Sequence, residues 1–198
     1  TSFSTDPLRR LSRSSSPDVP LDCRPTVRSG HPESAVDVTV AAADIADGGY
    51  DLVVISNRTY QPIEGVDRLK NALVGEEAYG RVLDRWSDAG VPTLVLQDTP
   101  YATDLPNVPD RVEAAGDDLA ACDGTSRREV VDPFADAAAL RSHDPNVRLL
   151  DLTDRICHGD VCQSIVGGVI VYFDRGHLTA TFSRTLAPDI WATAKELL

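Results

Sequence analysis

The sequence predicts a three-layer α/β/α domain built on a mainly parallel sheet. Two observations lead there. Short apolar runs, "YDLVVIS" (50–56), "VPTLVLQDTP" (91–100) and "NVRLLDLT" (146–153), alternate with helical patterns. The first two read as continuously apolar, as strands covered on both faces do. At 198 residues the chain is long enough for one domain with a real core and short for two.

Taken in order, residues 1–35 are rich in Ser, Pro, Arg and Asp, and "RRLSRSSSPDVP" has almost no apolar periodicity. This part is expected to be a linker or irregular segment. The α/β domain is assigned to residues 36–198, with the first strand of its sheet in question. "SAVDVTVAAADIA" (34–46) predicts a helix that Ser34 caps. After the first strand, "GEEAYGRVLDRWSDAG" (75–90) is an amphipathic helix closed by Gly90. Residues 101–128 carry several Pro and Gly and predict a long excursion, with "DDLAACDG" as a short helical turn inside it. "DPFADAAALRSH" (132–143) is a helix with Pro in its first turn. "GGVIVYF" (167–173) predicts a fourth, shorter strand, and "TATFSRTLAPDIWATAKELL" (179–198) a terminal helix bent or restarted at Pro188. Trp86 and Trp191 are both expected in the core.

Composition removes some classes. A formal net charge of −12 argues against nucleic acid and against an anionic membrane surface. No apolar run reaches the roughly 20 residues that span a bilayer. No Gly-rich phosphate loop is present, and no cofactor or metal is expected. The chain has no Met, so a fragment or processed product is expected. Its Arg-, Ala-, Asp- and Val-rich bias suggests a GC-rich, actinobacterial genome. The four cysteines suit an oxidising compartment, with reduced thiols as the alternative. Cys157 and Cys162 bracket the turn-like "HGDV", which makes a local bridge easy. By elimination Cys122 is then the candidate partner of Cys23, with two unbridged thiols as the alternative.

In a parallel sheet of this kind, ligands bind beyond the carboxyl ends of the strands. The residues expected there are Ser56-Asn57-Arg58, Asp98-Thr99, Asp151 with Asp154, and Asp174 to His177. Asp151 and Asp154 suit a strand-to-turn cap better than a cation site. Asp174 and His177 lie three apart on a turn. A carboxylate that orients an imidazole frees its other nitrogen to act as a general base. Taken alone, Asp-x-x-His is a common pattern and fits a plain hydrogen-bonded strand end as well.

The order of "DLVVISNR", "AGVPTLVLQDTP" and "NVRLLDLTDRICHGDVCQSIVGGVIVYFDRGHLTATFSRTLAP" resembles the SGNH-hydrolase-like domain at the C-terminus of acyltransferase family 3 membrane proteins. That likeness spans about residues 48–190 and is strongest from 146 onward. The resemblance implies an SGNH/flavodoxin-like sheet and Ser-His-Asp chemistry, with His177 as general base and Asp174 as its orienting partner. It also implies that Asn57 donates to an oxyanion; a strand cap is the plain alternative. The family's cysteine pair before the last strand matches Cys157 and Cys162. The implied function is O-acyl transfer or ester hydrolysis on a cell-envelope glycan or glycolipid acceptor. The implied setting is extracytoplasmic, tethered to a membrane acyltransferase domain. One departure stands out. The family's first block ends in Gly-Asp-Ser, whose Ser is the nucleophile, and this chain has none. Gly116-Asp117 is followed by Asp118, and Gly159-Asp160 by Val161. Either the chain begins after that block, or the domain is a non-catalytic relative that binds the acceptor or supports the membrane partner.

Overall fold

Three of the apolar runs pair side by side as parallel strands. The computed structural model describes residues 43, 45–47, 49–58, 62–100, 108–116, 118, 122–125, 134–174 and 176–198. The assignments made above to residues 1–35, the Ser34 cap and Cys23 lie outside these residues. In chain order the elements are β1 (Val53–Ile55), α1 (Asn71–Asp88), β2 (Thr93–Leu96), α2 (Val108–Ala115), β3 (Gly124–Thr125), α3 (Phe134–Arg141) and β4 (Val147–Leu150). Four short strands follow: β5 (Cys157–His158), β6 (Val161–Cys162), β7 (Ile165–Val166) and β8 (Val169–Ile170). Helices α4 (Ala180–Thr185) and α5 (Ala187–Ala194) end the chain. Among the described residues the main sheet has the order β1-β2-β4, parallel throughout.

Alternation along the strands builds two layers. Val53, Val95 and Val147 point to one face, where Leu83 and Trp86 of α1 and Ala135, Ala138 and Ala139 of α3 pack on them. Leu94 points the other way and is also fully buried. On that side α5 packs against β4. A second core gathers Val108, Ile156, Val171, Tyr172, Phe182 and Leu186. The expected α/β/α architecture with a parallel sheet is therefore what the chain adopts. Ile45 and Ala46 of the helical turn before β1 pack on the first core, in line with the helix expected there.

Helix α1 starts one turn earlier than expected, after a 3-10 turn at Arg68–Lys70 that Asp67 caps. Its end is as read. Gly90 takes φ +75°, its N–H bonds to Ser87, and Val91 N–H reaches back to Trp86. This paired closure requires a left-handed residue, which glycine supplies without strain.

Four expectations change. Val54 is 46% exposed, because β1 lies at the edge of the sheet among the described residues. The excursion after β2 contains a true helix, α2, whose Pro109 sits in the first turn, where its missing N–H costs nothing. The strand expected at 167–173 does not join the parallel sheet. Gly167 and Gly168 both have positive φ and make a two-residue hairpin turn, so β8 folds back antiparallel on β7. Trp191 is 59% exposed, on the outer side of α5, and not in the core.

The bridge between Cys157 and Cys162 is formed. The two residues face each other across the β5–β6 hairpin, which turns at Gly159. Cys122 is also disulfide-bonded; its expected partner, Cys23, lies outside the described residues. Among the described residues no helix is long and apolar enough to cross a membrane.

Candidate active site

The last block of sequence folds as a small antiparallel corner. Tyr172 and Leu178 pair across it, Thr179 N–H bonds to Val171 O, and Phe173 N–H bonds to His177 O at 2.8 Å. Thr179 then caps α4 by accepting the Phe182 N–H. Tyr172 is buried, and its hydroxyl donates to Pro100 O at 2.8 Å, which fixes the corner against the exit of β2.

Within this corner Asp174 holds the turn and the imidazole together. Its Oδ1 accepts the N–H groups of Gly176 and His177 at 3.0 and 2.9 Å. His177 Nδ1 lies 2.8 Å from Oδ2 and 2.9 Å from Oδ1. Burial alone would raise the Asp174 carboxyl, but the two N–H groups and the imidazole outweigh it and hold it below the usual carboxylate range. A carboxylate on Nδ1 favours the tautomer with the proton there, leaving Nε2 as the basic atom. The His177 side chain is 72% exposed, so that atom is open to an incoming group.

The rest of the rim is assembled from distant parts of the chain. Thr99, just past β2, donates its hydroxyl to Gly176 O at 3.2 Å. Asp98, beside it, gives its backbone N–H to Asp136 Oδ2 at the long distance of 3.5 Å. Asp136 sits in the first turn of α3 and is 3% exposed. Burial pushes its carboxyl up to about 6; the Asp98 N–H opposes this, while the charges of Asp98 and Asp151 add to it. One residue earlier, the Ala135 N–H donates to Asn57 Oδ1 at 2.9 Å. Asn57 therefore ties the exit of β1 to the start of α3.

Each residue read from the sequence can now be placed. Asp174 and His177 are brought together. Asn57 is on the same strand-end rim, but among the described residues no hydrogen bond joins it to either. Its amide oxygen is taken by Ala135, and its Nδ2 donates to Arg58 O at 3.1 Å. It thus caps a helix across the rim, a role different from the cap of its own strand considered above. Asp151 Oδ1 accepts the Thr153 N–H, the strand-to-turn cap that was expected. Among the described residues no group of His, Cys, Asp or Glu is arranged to hold a metal ion. The reading of the chain missed Asp136 and Phe173; "DPFADAAAL" shows only a helix start, and nothing local marks its Asp as buried.

The fold and this rim define a class: an α/β/α domain with a carboxylate–imidazole pair at the carboxyl ends of parallel strands. Comparison with known families is more specific. The family described as the SGNH domain fused to AT3 domains matches residues 7–192, and the chain belongs to it. Among solved structures, the periplasmic domain of a lipopolysaccharide acetyltransferase from Salmonella ser. Paratyphi A aligns with a TM-score of 0.53 at 13% identity. The alignment covers 78% of this chain and 60% of that one, so this chain spans little more than half of that domain. At that identity the likeness is one of fold. Comparison with curated proteins returned no match.

Proposed function

We propose that this chain is the extracytoplasmic acyl-transfer module of a membrane acyltransferase, acting on a hydroxyl of a cell-envelope glycan or glycolipid. The observation that carries the reading is the exposed His177 imidazole held by Asp174 through Nδ1. In the proposed Ser-His-Asp chemistry, whose Ser no motif of this chain identifies, His177 Nε2 takes the proton of a nucleophilic hydroxyl, the serine's and then the acceptor's, as its oxygen attacks the acyl carbonyl. It returns that proton to the leaving oxygen when the intermediate collapses. The second N–H of Asn57 Nδ2 is the proposed donor to the oxyanion, its amide being oriented by Ala135. Membership of a family fused to AT3 domains supports a membrane acyltransferase as the partner. The disulfide supports an oxidising compartment.

A second reading keeps the fold and loses the chemistry. It is favoured by one observation, the absence of Gly-Asp-Ser from the chain. In it the domain binds the acceptor or supports the membrane partner. A serine-directed fluorophosphonate separates the two. Labelling of the folded protein that disappears in His177→Ala supports the catalytic module. No labelling of a folded wild-type protein supports the binding module.

A further inference from the structure

Phe173 is an unusual residue to find beside His177. Its neighbours Val171 and Tyr172 are fully buried, yet Phe173 is 65% exposed. The pairing of the corner explains why. Tyr172 stands opposite Leu178, and Phe173 N–H bonds to His177 O. That register puts residues 173 and 177 directly opposite each other. Side chains of directly opposed residues leave the ribbon on the same face, with Cβ atoms about 5 Å apart. Tyr172 and Leu178 take the inner face, so the phenyl ring and the imidazole share the outer one. Burial agrees: Tyr172 is buried and Leu178 half-buried, whereas Phe173 and His177 are both exposed.

We infer that Phe173 is a specificity-determining residue: a stacking platform for a neutral pyranose ring of the acceptor, which sets one of its hydroxyls before His177 Nε2. This rests on the acyl-transfer reading above. Three features select a sugar over an acyl chain or an anion. An alkyl chain gains most when enclosed on all sides, and a single exposed ring encloses nothing. A pyranose instead offers a flat face of C–H groups, which suits the negative face of an aromatic ring, while its hydroxyls project sideways to polar partners. Among the described residues of this turn, the imidazole and the Asp174 carboxylate are such partners, both able to bond hydroxyls. An anionic ligand would meet that carboxylate on a chain of net charge −12. The ring also lies on a ribbon whose corner is tied by the bonds of Tyr172 to Pro100 and of Thr99 to Gly176.

The test uses the whole chain with its phenylalanine rings isotopically labelled; there are four, so Phe173 is assignable by substitution. The probe is the neutral oligosaccharide fraction released by mild acid from the envelope of the source cells. Methyl butyrate serves as a probe for an acyl site. The expected result is a shift of the Phe173 ring signals with the oligosaccharides and not with methyl butyrate. Phe173→Ala weakens oligosaccharide binding by about tenfold or more, and Phe173→Tyr and Phe173→Trp restore it to within about threefold. Unchanged binding in Phe173→Ala overturns the inference. So does an unperturbed Phe173 signal, or a ring that responds to methyl butyrate alone. Fluorophosphonate labelling is read on the same samples. Labelling that persists while the sugar leaves Phe173 untouched removes this inference and leaves the catalytic reading standing. Absent labelling of the wild type removes the catalytic reading first.

Discussion

The hydroxyl of Thr99 donates to the carbonyl of Gly176, so the exit of the central strand holds the turn that carries Asp174 and His177. The two residues are 77 positions apart. Thr99→Val removes the donor at nearly constant shape and leaves a half-buried carbonyl unpaired. We expect a loss of about 1 kcal/mol in denaturant unfolding. Fluorophosphonate labelling should slow severalfold, and Thr99→Ser should recover both. A variant that unfolds and labels like the wild type would show that the turn holds its shape unaided.

Asp174→Asn keeps the size of the side chain but removes the charge that orients the imidazole. The expected effect on labelling is a drop of about 10³–10⁴-fold, because the amide favours the wrong tautomer. There is also a pH signature. The carboxyl is held below its ordinary range in the folded protein. Its contribution to stability is therefore complete above the ordinary carboxylate pKa and is lost as pH falls through the depressed value. Wild type should therefore exceed Asp174→Asn in stability by a constant margin above about pH 4, and the margin should shrink as pH falls below it. A margin that is absent at neutral pH, or that stays unchanged into acid, would refute this account.

Asp136 has the opposite sign. Its carboxyl is raised to about 6 in the fold, well above the ordinary carboxylate range. Between that range and about 6 the folded state holds the proton more often than the unfolded state does. The group therefore destabilises the fold as pH rises through about 6. Asp136→Asn keeps an acceptor for the Asp98 N–H and removes the charge. Its stability relative to wild type should rise by about 2 kcal/mol between pH 4 and pH 7. A difference that stays flat across that range would count against a raised carboxyl.

Gly75 sits inside α1, where a Gly→Ala change ordinarily gains about 1 kcal/mol. Here an added Cβ would lie 2.2 Å from the ring of Phe134, the first residue of α3. That ring is buried and stacks with Tyr79 at 6.2 Å between centroids. Overpacking costs about 1–3 kcal/mol, so the clash outweighs the propensity. Gly75→Ala should lower the melting temperature, and through Phe134 should disturb the Ala135–Asn57 bond. A raised melting temperature would mean the ring moves aside freely.

Much of this architecture could be read along the chain. "TLVL" and "VRLL" are short apolar runs with helical patterns between them, and they became β2 and β4 of the parallel sheet. Gly90 marked the end of α1 because a left-handed closure needs it. Other elements were hidden. The α2 sequence "VPDRVEAA" lies among Pro and Gly residues, and its helix shows only once Val108 is seen buried in the second core. "VIVYF" has the composition of a sheet strand, yet the two glycines before it set a tight reversal, and composition does not weigh such a turn. Trp191 looked like core by type, but where α5 packs on the sheet leaves it outside.

By itself the sequence determined most of the elements and put Asp174 and His177 three residues apart on one turn, because spacing along the chain limits how far two such residues can separate. Only the tertiary structure decided that Asn57 grips α3, that Thr99 holds Gly176, that Asp136 is buried, and that Phe173 stands out beside the imidazole. Those relations depend on where long loops close and which face each element buries, and both are settled by packing between segments far apart in the chain.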